Sequence, residues 1–300
     1  RVRLDGQLAD DASLCAAFAA IDELRGDISL TYFEFGTLAA LWLFKRAELD
    51  AVVLEVGLGG RLDAVNVVDA HVAVVTSIGI DHQEYLGNTR ASVATEKAGI
   101  LRHTRPVVSG ERDLPDTFVQ AVERLGCQLV QRDRDFTVQV QPDGQWQLSG
   151  EGGVGAARSL LLPPVRLPRD NLAVAVHAFW AAGLDLPDAA LGEALAAASA
   201  SGRLESREID WQGQRRRLLL DVGHNPHAAA FLAESLAQQG QRPRVAVFGL
   251  LADKDLPGVL APLAGTFERW YVAPLPSPRS RSAHQLQQAL EATGEQVQSC

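Results

Sequence analysis

The stretch Leu54-Glu55-Val56-Gly57-Leu58-Gly59-Gly60-Arg61-Leu62-Asp63-Ala64-Val65-Asn66 decides how this chain is read. An apolar run ends in an acid, passes through glycines and opens into a dense polar cluster. Residues 51–56 and 72–76 are rich in β-branched residues without alternation, the pattern of strands buried on both faces of a parallel sheet. Downstream stand Thr76-Ser77-Ile78-Gly79-Ile80-Asp81-His82 and Thr95-Glu96-Lys97-Ala98-Gly99-Ile100. A carboxylate, an imidazole and a lysine are thus expected just beyond strands, where an open α/β sheet binds its ligands. That layout suits a metal–nucleotide site.

Working outward, the 300 residues exceed one average domain and suggest two. Hydrophobic and charged fractions of 47% and 22% are ordinary for a globular protein. No apolar run reaches the roughly 18 residues that span a bilayer, and no signal-peptide pattern opens the chain. A net charge of −9 with scattered arginines argues against nucleic acid as a partner. Cys15, Cys127 and Cys300 are far apart and lack metal spacing, which fits a reducing cytoplasm. Methionine is absent even at position 1, and Arg1–Leu4 and Gln296–Cys300 read as strand edges, so both ends are expected to be cut inside the fold. Three lysines (Lys45, Lys97, Lys254) stand against 25 arginines, so a retained lysine can mark chemistry that arginine cannot do.

The expected element order begins with a helix over Tyr32–Arg46, from the apolar spacing of Phe35, Leu38, Ala39, Trp42 and Leu43. A helix over 89–101, a strand over 106–108 and a β-hairpin over 136–148 around Pro142-Asp143-Gly144 follow. Helices at 170–182 and 188–200 complete a first domain, 1–204. An α/β pattern then restarts with a strand at 218–222, a helix over Pro226–Gln238, and strands at 245–250 and 270–272. This forms a second domain, 205–300.

Several residues carry candidate chemistry. Glu55 suits a hard cation such as Mg²⁺, though a lone acid often only caps a turn. His82, beyond a strand, is a second-metal candidate or a structural histidine. Lys97 is either a solvated lysine paired with Glu96 or a lysine carbamylated by CO₂, which needs a pKa well below the usual value of about 10.4. Asp221-Val222-Gly223-His224-Asn225-Pro226-His227 enters a helix. Asp221 suits a ribose hydroxyl, while Asn225 followed by Pro226 is a common helix start. Asp253-Lys254-Asp255 reads as a charged turn.

Taken in order, LTYFEFGT (30–37), LEVGLGGRLDAVN, TSIGIDH, TEKAGI, GRLE (202–205), DVGHNPHA and GLLADKD resemble folylpolyglutamate synthase/dihydrofolate synthase of the Mur ligase superfamily. The resemblance runs over essentially the whole chain. It implies an α/β fold: a Mur-ligase-like central ATPase domain with a parallel sheet, N-terminally truncated, and a Rossmann-like C-terminal ligase domain, C-terminally truncated. It implies ATP and Mg²⁺ as cofactors, with dihydropteroate, tetrahydrofolate and L-glutamate as substrates of a monomer. Glu55 and His82 match metal ligands and Lys97 the carbamylated lysine. Asn171 matches the adenine reader, Arg203 the phosphate-holding arginine and Asp221 the ribose contact. Thr31, Tyr32, Phe33 and Glu34, with Leu62, Asp63 and Ala64, match the dihydropteroate pocket, and Phe33 is placed to stack the pterin. His224 falls on the ligase-domain face.

One departure stands out. The family opens with a GTNGKGS-like phosphate loop, and no GxxxxGK[ST] equivalent occurs here. The chain by itself is therefore expected to be inactive, and its parent protein active. Rival readings are a peptidoglycan-type Mur ligase, opposed by LTYFE, and a non-catalytic binding protein. A dinucleotide oxidoreductase lacks its GxGxxG.

Overall fold

A computed structural model describes residues 2–151, 157–238 and 245–299; Arg1 and Cys300 lie outside them. The chain forms two compact units, one of Arg1–Phe136 with His177–Leu184, the other of Thr137–Val176 with Asp185–Cys300.

In the first unit, β1 (Arg3–Leu4) pairs antiparallel with β2 (Gln7–Leu8), and helices α1 (Asp11–Arg25) and α2 (Tyr32–Arg46) follow. Ala17 and Ile21 of α1 meet Ala39 and Leu43 of α2 in a small core. Thr31 starts α2 through a capping box, in which its hydroxyl accepts from the Glu34 N–H and Glu34 accepts from the Thr31 N–H. Next come β3 (Ala73–Val75), α3 (Gln83–Leu86), α4 (Arg90–Ala98), β4 (Pro106–Ser109), α5 (Asp116–Leu125) and β5 (Gln128–Gln131). The sheet β3-β4-β5 is parallel, as the unalternating Val runs predict. Val93, Ala94 and Ala98 of α4 and Phe118, Ala121 and Val122 of α5 pack on Ala73, Val75 and Val107.

Residues 51–56 are not the buried strand expected. They form no ladder among the described residues, and Val52 and Val53 are 46% and 92% exposed. Branched side chains favour extended backbone, but a strand exists only where a neighbour supplies hydrogen bonds.

Next, β6 (Phe136–Val140), β7 (Trp146–Glu151) and β8 (Ala157–Leu162) form one sheet, whose residues from Thr137 on belong to the second unit, adding a strand to the expected hairpin. Helices α6 (Arg169–Ala181) and α7 (Asp188–Ala196) lead to β9 (Glu205–Trp211) and β10 (Gln214–Leu220). These two pair antiparallel, so the strand expected at 218–222 is half of a hairpin that ends before Asp221. The charged sequence of β9 gives no period-2 apolar signal. Its turn, Gln212-Gly213, has φ of +50° and +74°, the primed geometry usually signalled by Asn-Gly. Then α8 (Pro226–Gln238), β11 (Val245–Phe248), α9 (Leu256–Leu260), β12 (Arg269–Val272), α10 (Ala283–Glu291) and β13 (Val297–Ser299) build a parallel sheet ordered β11-β12-β13. Its core holds Trp270, Val272, Leu286 and Leu290.

In the first unit, His177 is 2% exposed, stacked on Phe136 at 4.2 Å and edge-on to Trp180 at 5.1 Å. Its Nε2 has no hydrogen-bond partner among the described residues, and burial pushes its pKa down to about 4, opposed by Asp135. The unfolded chain therefore takes up this proton below about pH 6.5 while the folded protein resists it until about pH 4. Stability should fall by about 2–3 kcal/mol between pH 7 and 4.5 from this group alone. Urea denaturation at both pH values checks it. A His177→Phe protein with the same pH difference contradicts it.

Candidate active site

In the first unit, the glycine loop at 57–60 is docked on α4. The Arg61 N–H donates to the Glu96 carbonyl at 2.9 Å, and the Arg61 guanidinium pairs with the Glu96 carboxylate at 2.9 Å. A Cβ on Gly60 would lie 2.8 Å from Ile100 Cγ2, 3.0 Å from the Glu96 carbonyl oxygen and 3.5 Å from Lys97 Cα. Glycine is thus required by close approach to the helix that bears Lys97. Gly60→Ala should cost about 1–3 kcal/mol by overpacking. A thermal melt unchanged within 1 °C would show that the loop yields.

Lys97 is half-buried, and desolvation pushes its amine below the ordinary lysine range. The expected pairing of Lys97 with Glu96 is not formed, because Arg61 occupies that carboxylate. Lys97 makes no hydrogen bond or ion pair among the described residues.

Asp63 organises the same loop. Its Oδ2 accepts from Gly57 N at 2.9 Å and Leu58 N at 3.0 Å, and its Oδ1 accepts from Val65 N at 3.0 Å. Asn66 then ties the loop to the end of α4 through the Gly99 carbonyl at 3.0 Å and accepts from Arg102 at 2.9 Å. Leu62 is exposed and Ala64 half-buried. The Phe33 ring lies against Gly57, while Tyr32 is 96% exposed. Thr31 and Glu34 spend their polar groups on the helix cap, which holds the Glu34 carboxyl below the usual range.

Glu55 is exposed and makes no hydrogen bond or ion pair among the described residues. His82 is exposed, caps the short α3 and sits in the left-handed region at φ +50°. That strained backbone, for a residue without glycine's freedom, is a frequent mark of functional positions. Among the described residues no group of three or more His, Cys, Asp or Glu could hold a metal. Mg²⁺ keeps several waters and takes one or two carboxylates, so it needs no such cage. The Glu55 carboxylate, uncommitted among the described residues, is a donor of the right hardness, and a carbamate on Lys97 would be another.

The second unit gathers another set. Asp221 Oδ2 accepts from Leu204 N at 2.9 Å and its Oδ1 from Gly223 N at 2.7 Å. Glu205 accepts from Gly202 N at 2.8 Å, and Val222 N donates to the Gly202 carbonyl at 2.8 Å. Two carboxylates thus clamp the backbone on either side of Arg203, whose side chain is exposed. Leu204 is 1% exposed yet has φ +46°, a conformation the clamp imposes. Glu205 is not singled out by the sequence; its only signal there is an acid three residues after a turn glycine. His224 Nδ1 lies 3.0 Å from the Val222 carbonyl, which favours the Nδ1–H tautomer. Asn225 caps α8 by accepting from Ala228 N at 2.9 Å, with Pro226 at its first position, as the sequence indicates. Asn171 is exposed in the first turn of α6. The turn at 253–255 is not wholly solvated: Lys254 is 7% exposed, and Asp255 caps α9.

Comparison with known proteins gives this arrangement its class. Residues 16–133 match the Mur ligase middle domain and residues 202–300 the Mur ligase glutamate ligase domain. Dihydrofolate synthase/folylpolyglutamate synthase of Escherichia coli is 45% identical over 95% of this chain and 66% of its own. The Haemophilus influenzae protein of that name is 40% identical over 97% and 69%. The chain belongs to the dihydrofolate synthase/folylpolyglutamate synthase family and spans about two thirds of the length of these relatives. Among solved structures, E. coli FolC in complex with DHPP and ADP gives a TM-score of 0.89 at 42% identity, over 99% of this chain and 69% of that one. The Yersinia pestis bifunctional enzyme complexed with AMPPNP and Mn ion gives 0.87 at 44%, with the same coverage.

Proposed function

We propose that the full-length protein is an ATP-dependent amide ligase. It joins L-glutamate to dihydropteroate, giving dihydrofolate, and adds glutamates to the chain of tetrahydrofolate. Family membership supports the reaction class. The observation that carries it to this site is the glycine loop seated on α4, with a desolvated Lys97 beside it that has no ion pair among the described residues.

The chemistry follows from the residues. The lowered pKa of Lys97 leaves more neutral amine, which adds to CO₂ to form a carbamate and release a proton. Glu55, His82 and this carbamate are the proposed holders of Mg²⁺, which, when bound, supplies charge neutralisation for phosphate. Arg203, its backbone clamped on both sides, is proposed for the γ-phosphate. Asn171 takes the adenine edge. Both oxygens of Asp221 accept backbone N–H bonds, and each keeps a lone pair for a ribose hydroxyl. The substrate carboxylate attacks the γ-phosphorus, the bond to ADP breaks, and an acyl phosphate results. The glutamate amine adds to its carbonyl, loses a proton, and phosphate leaves as the amide forms. No protein nucleophile is involved, so positioning and charge stabilisation carry the rate. Phe33 is the proposed pterin platform beside Leu62, Asp63 and Ala64, with Thr31, Tyr32 and Glu34 forming the helix start that presents it. His224 is proposed for the glutamate-ligase face.

The functional domains are proposed as 1–204 and 205–300, a division supported by the ligase-domain match at 202–300. The protein is proposed to act as a cytoplasmic monomer. No described helix is long and apolar enough to cross a membrane. Mass spectrometry tests the reading: incubation with Mg-ATP, dihydropteroate and L-glutamate should yield dihydrofolate. Consumption of ATP without that product would point to another Mur-type ligase.

A further inference from the structure

We propose that the second unit carries a polycarboxylate-binding cavity, lined by Arg166, Arg169 and Arg217, that holds the γ-glutamyl chain of the acceptor. The cavity measures about 420 Å³, with Leu204 and Phe231 as apolar lining and Ser235 as a further polar group. Its size is that of a small-molecule site. Asn171, Arg203 and Asp221 do not line it, and neither does any acidic residue among those described.

Each guanidinium is anchored by a neutral partner. Arg166 donates to the Leu204 carbonyl at 3.1 Å, Arg169 lies over the Trp146 ring at 4.2 Å, and Arg217 Nε donates to Ser206 Oγ at 3.3 Å. None of the three forms an ion pair among the described residues, in a chain whose net charge is −9. Other arginines, such as Arg158 with Asp185 and Asp188, are paired. Three guanidiniums are therefore positioned but not neutralised, each with N–H groups left for a ligand. A guanidinium fork binds carboxylate or phosphate in two-point fashion.

The three come from separate segments: the loop before α6, the first residue of α6, and β10. That placement suits carboxylates spaced along a chain better than one compact phosphate. The proposal rests on the ligase reading, since an oligo-γ-glutamate is that reaction's growing product.

The test uses the full-length protein, wild type and Arg166→Gln/Arg217→Gln. The KM for a tri-γ-glutamyl tetrahydrofolate should rise about tenfold, with kcat and the KM for dihydropteroate unchanged. Arg217→Gln alone should show part of the effect without touching the Leu204 contact. An unchanged KM, or an equal rise for both acceptors, overturns the proposal. So does protection of the site by tripolyphosphate but not by tetra-γ-glutamate. If the wild type used neither acceptor, the ligase reading would fail instead. Calorimetry of tetra-γ-glutamate binding to wild type and variant then decides the cavity: about tenfold weaker binding in the variant supports it, and equal or absent binding overturns it.

Discussion

Lys97→Arg in the full-length protein should lose turnover by about 10²–10³-fold or more, the scale of removing a preorganised charge-stabilising group, while its melting temperature stays near wild type. Arginine preserves the positive charge and most of the length, so a merely structural cation would survive the change. It cannot become a neutral amine at working pH, and so cannot take up CO₂. Lys97 is half-buried, its amine is pushed down by desolvation, and the adjacent Glu96 is held by Arg61. Nothing described satisfies the ammonium, which is the condition that favours its neutral form. Near-normal rates in the arginine variant would sink the carbamate.

Asp221→Ala should cost about 3–6 kcal/mol of stability and raise the KM for ATP at least tenfold. Two backbone N–H bonds to a carboxylate are lost, from Leu204 and Gly223, each worth about 1.5–3 kcal/mol when the acceptor is charged. Leu204, buried at φ +46°, then has less to hold it in a strained conformation, and the Arg203 backbone loosens with it. Asp221→Asn is informative beside it. One amide oxygen can still accept, while the NH₂ group faces a backbone donor, so this variant should also be destabilised. Denaturant titration of both variants and ATP saturation curves check the pair. Wild-type stability in Asp221→Ala would mean that the clamp does not hold the turn.

Much of the fold is legible in the sequence because its signals are local. The Val runs at β3 and β4 pair in parallel as expected, and Asn225-Pro226 starts α8 where the cap pattern puts it. Residues 51–56 mislead because branched residues report extended backbone, whereas a ladder depends on a neighbour far away in sequence. The hairpin of β9 and β10 is hidden for the opposite reason: charged strands and a Gln-Gly turn mask a regular pairing. At the site, residue types were readable but allegiances were not. Glu96 reads as a partner for Lys97 by adjacency, yet Arg61, 35 residues away, takes it. Asp63 reads as a substrate contact, yet both its oxygens are engaged by loop amides. Asp221 reads as a ribose ligand and is also the keystone of the Gly202–Glu205 turn. A sequence motif names the donors and acceptors; only packing tells which of them are already spoken for.

Phosphate release by the full-length protein, with Mg-ATP, dihydropteroate and L-glutamate present and then each omitted in turn, tests the central claim most directly. The account predicts release that requires all three together. Release that persists without dihydropteroate, or none in the complete mixture, would contradict it.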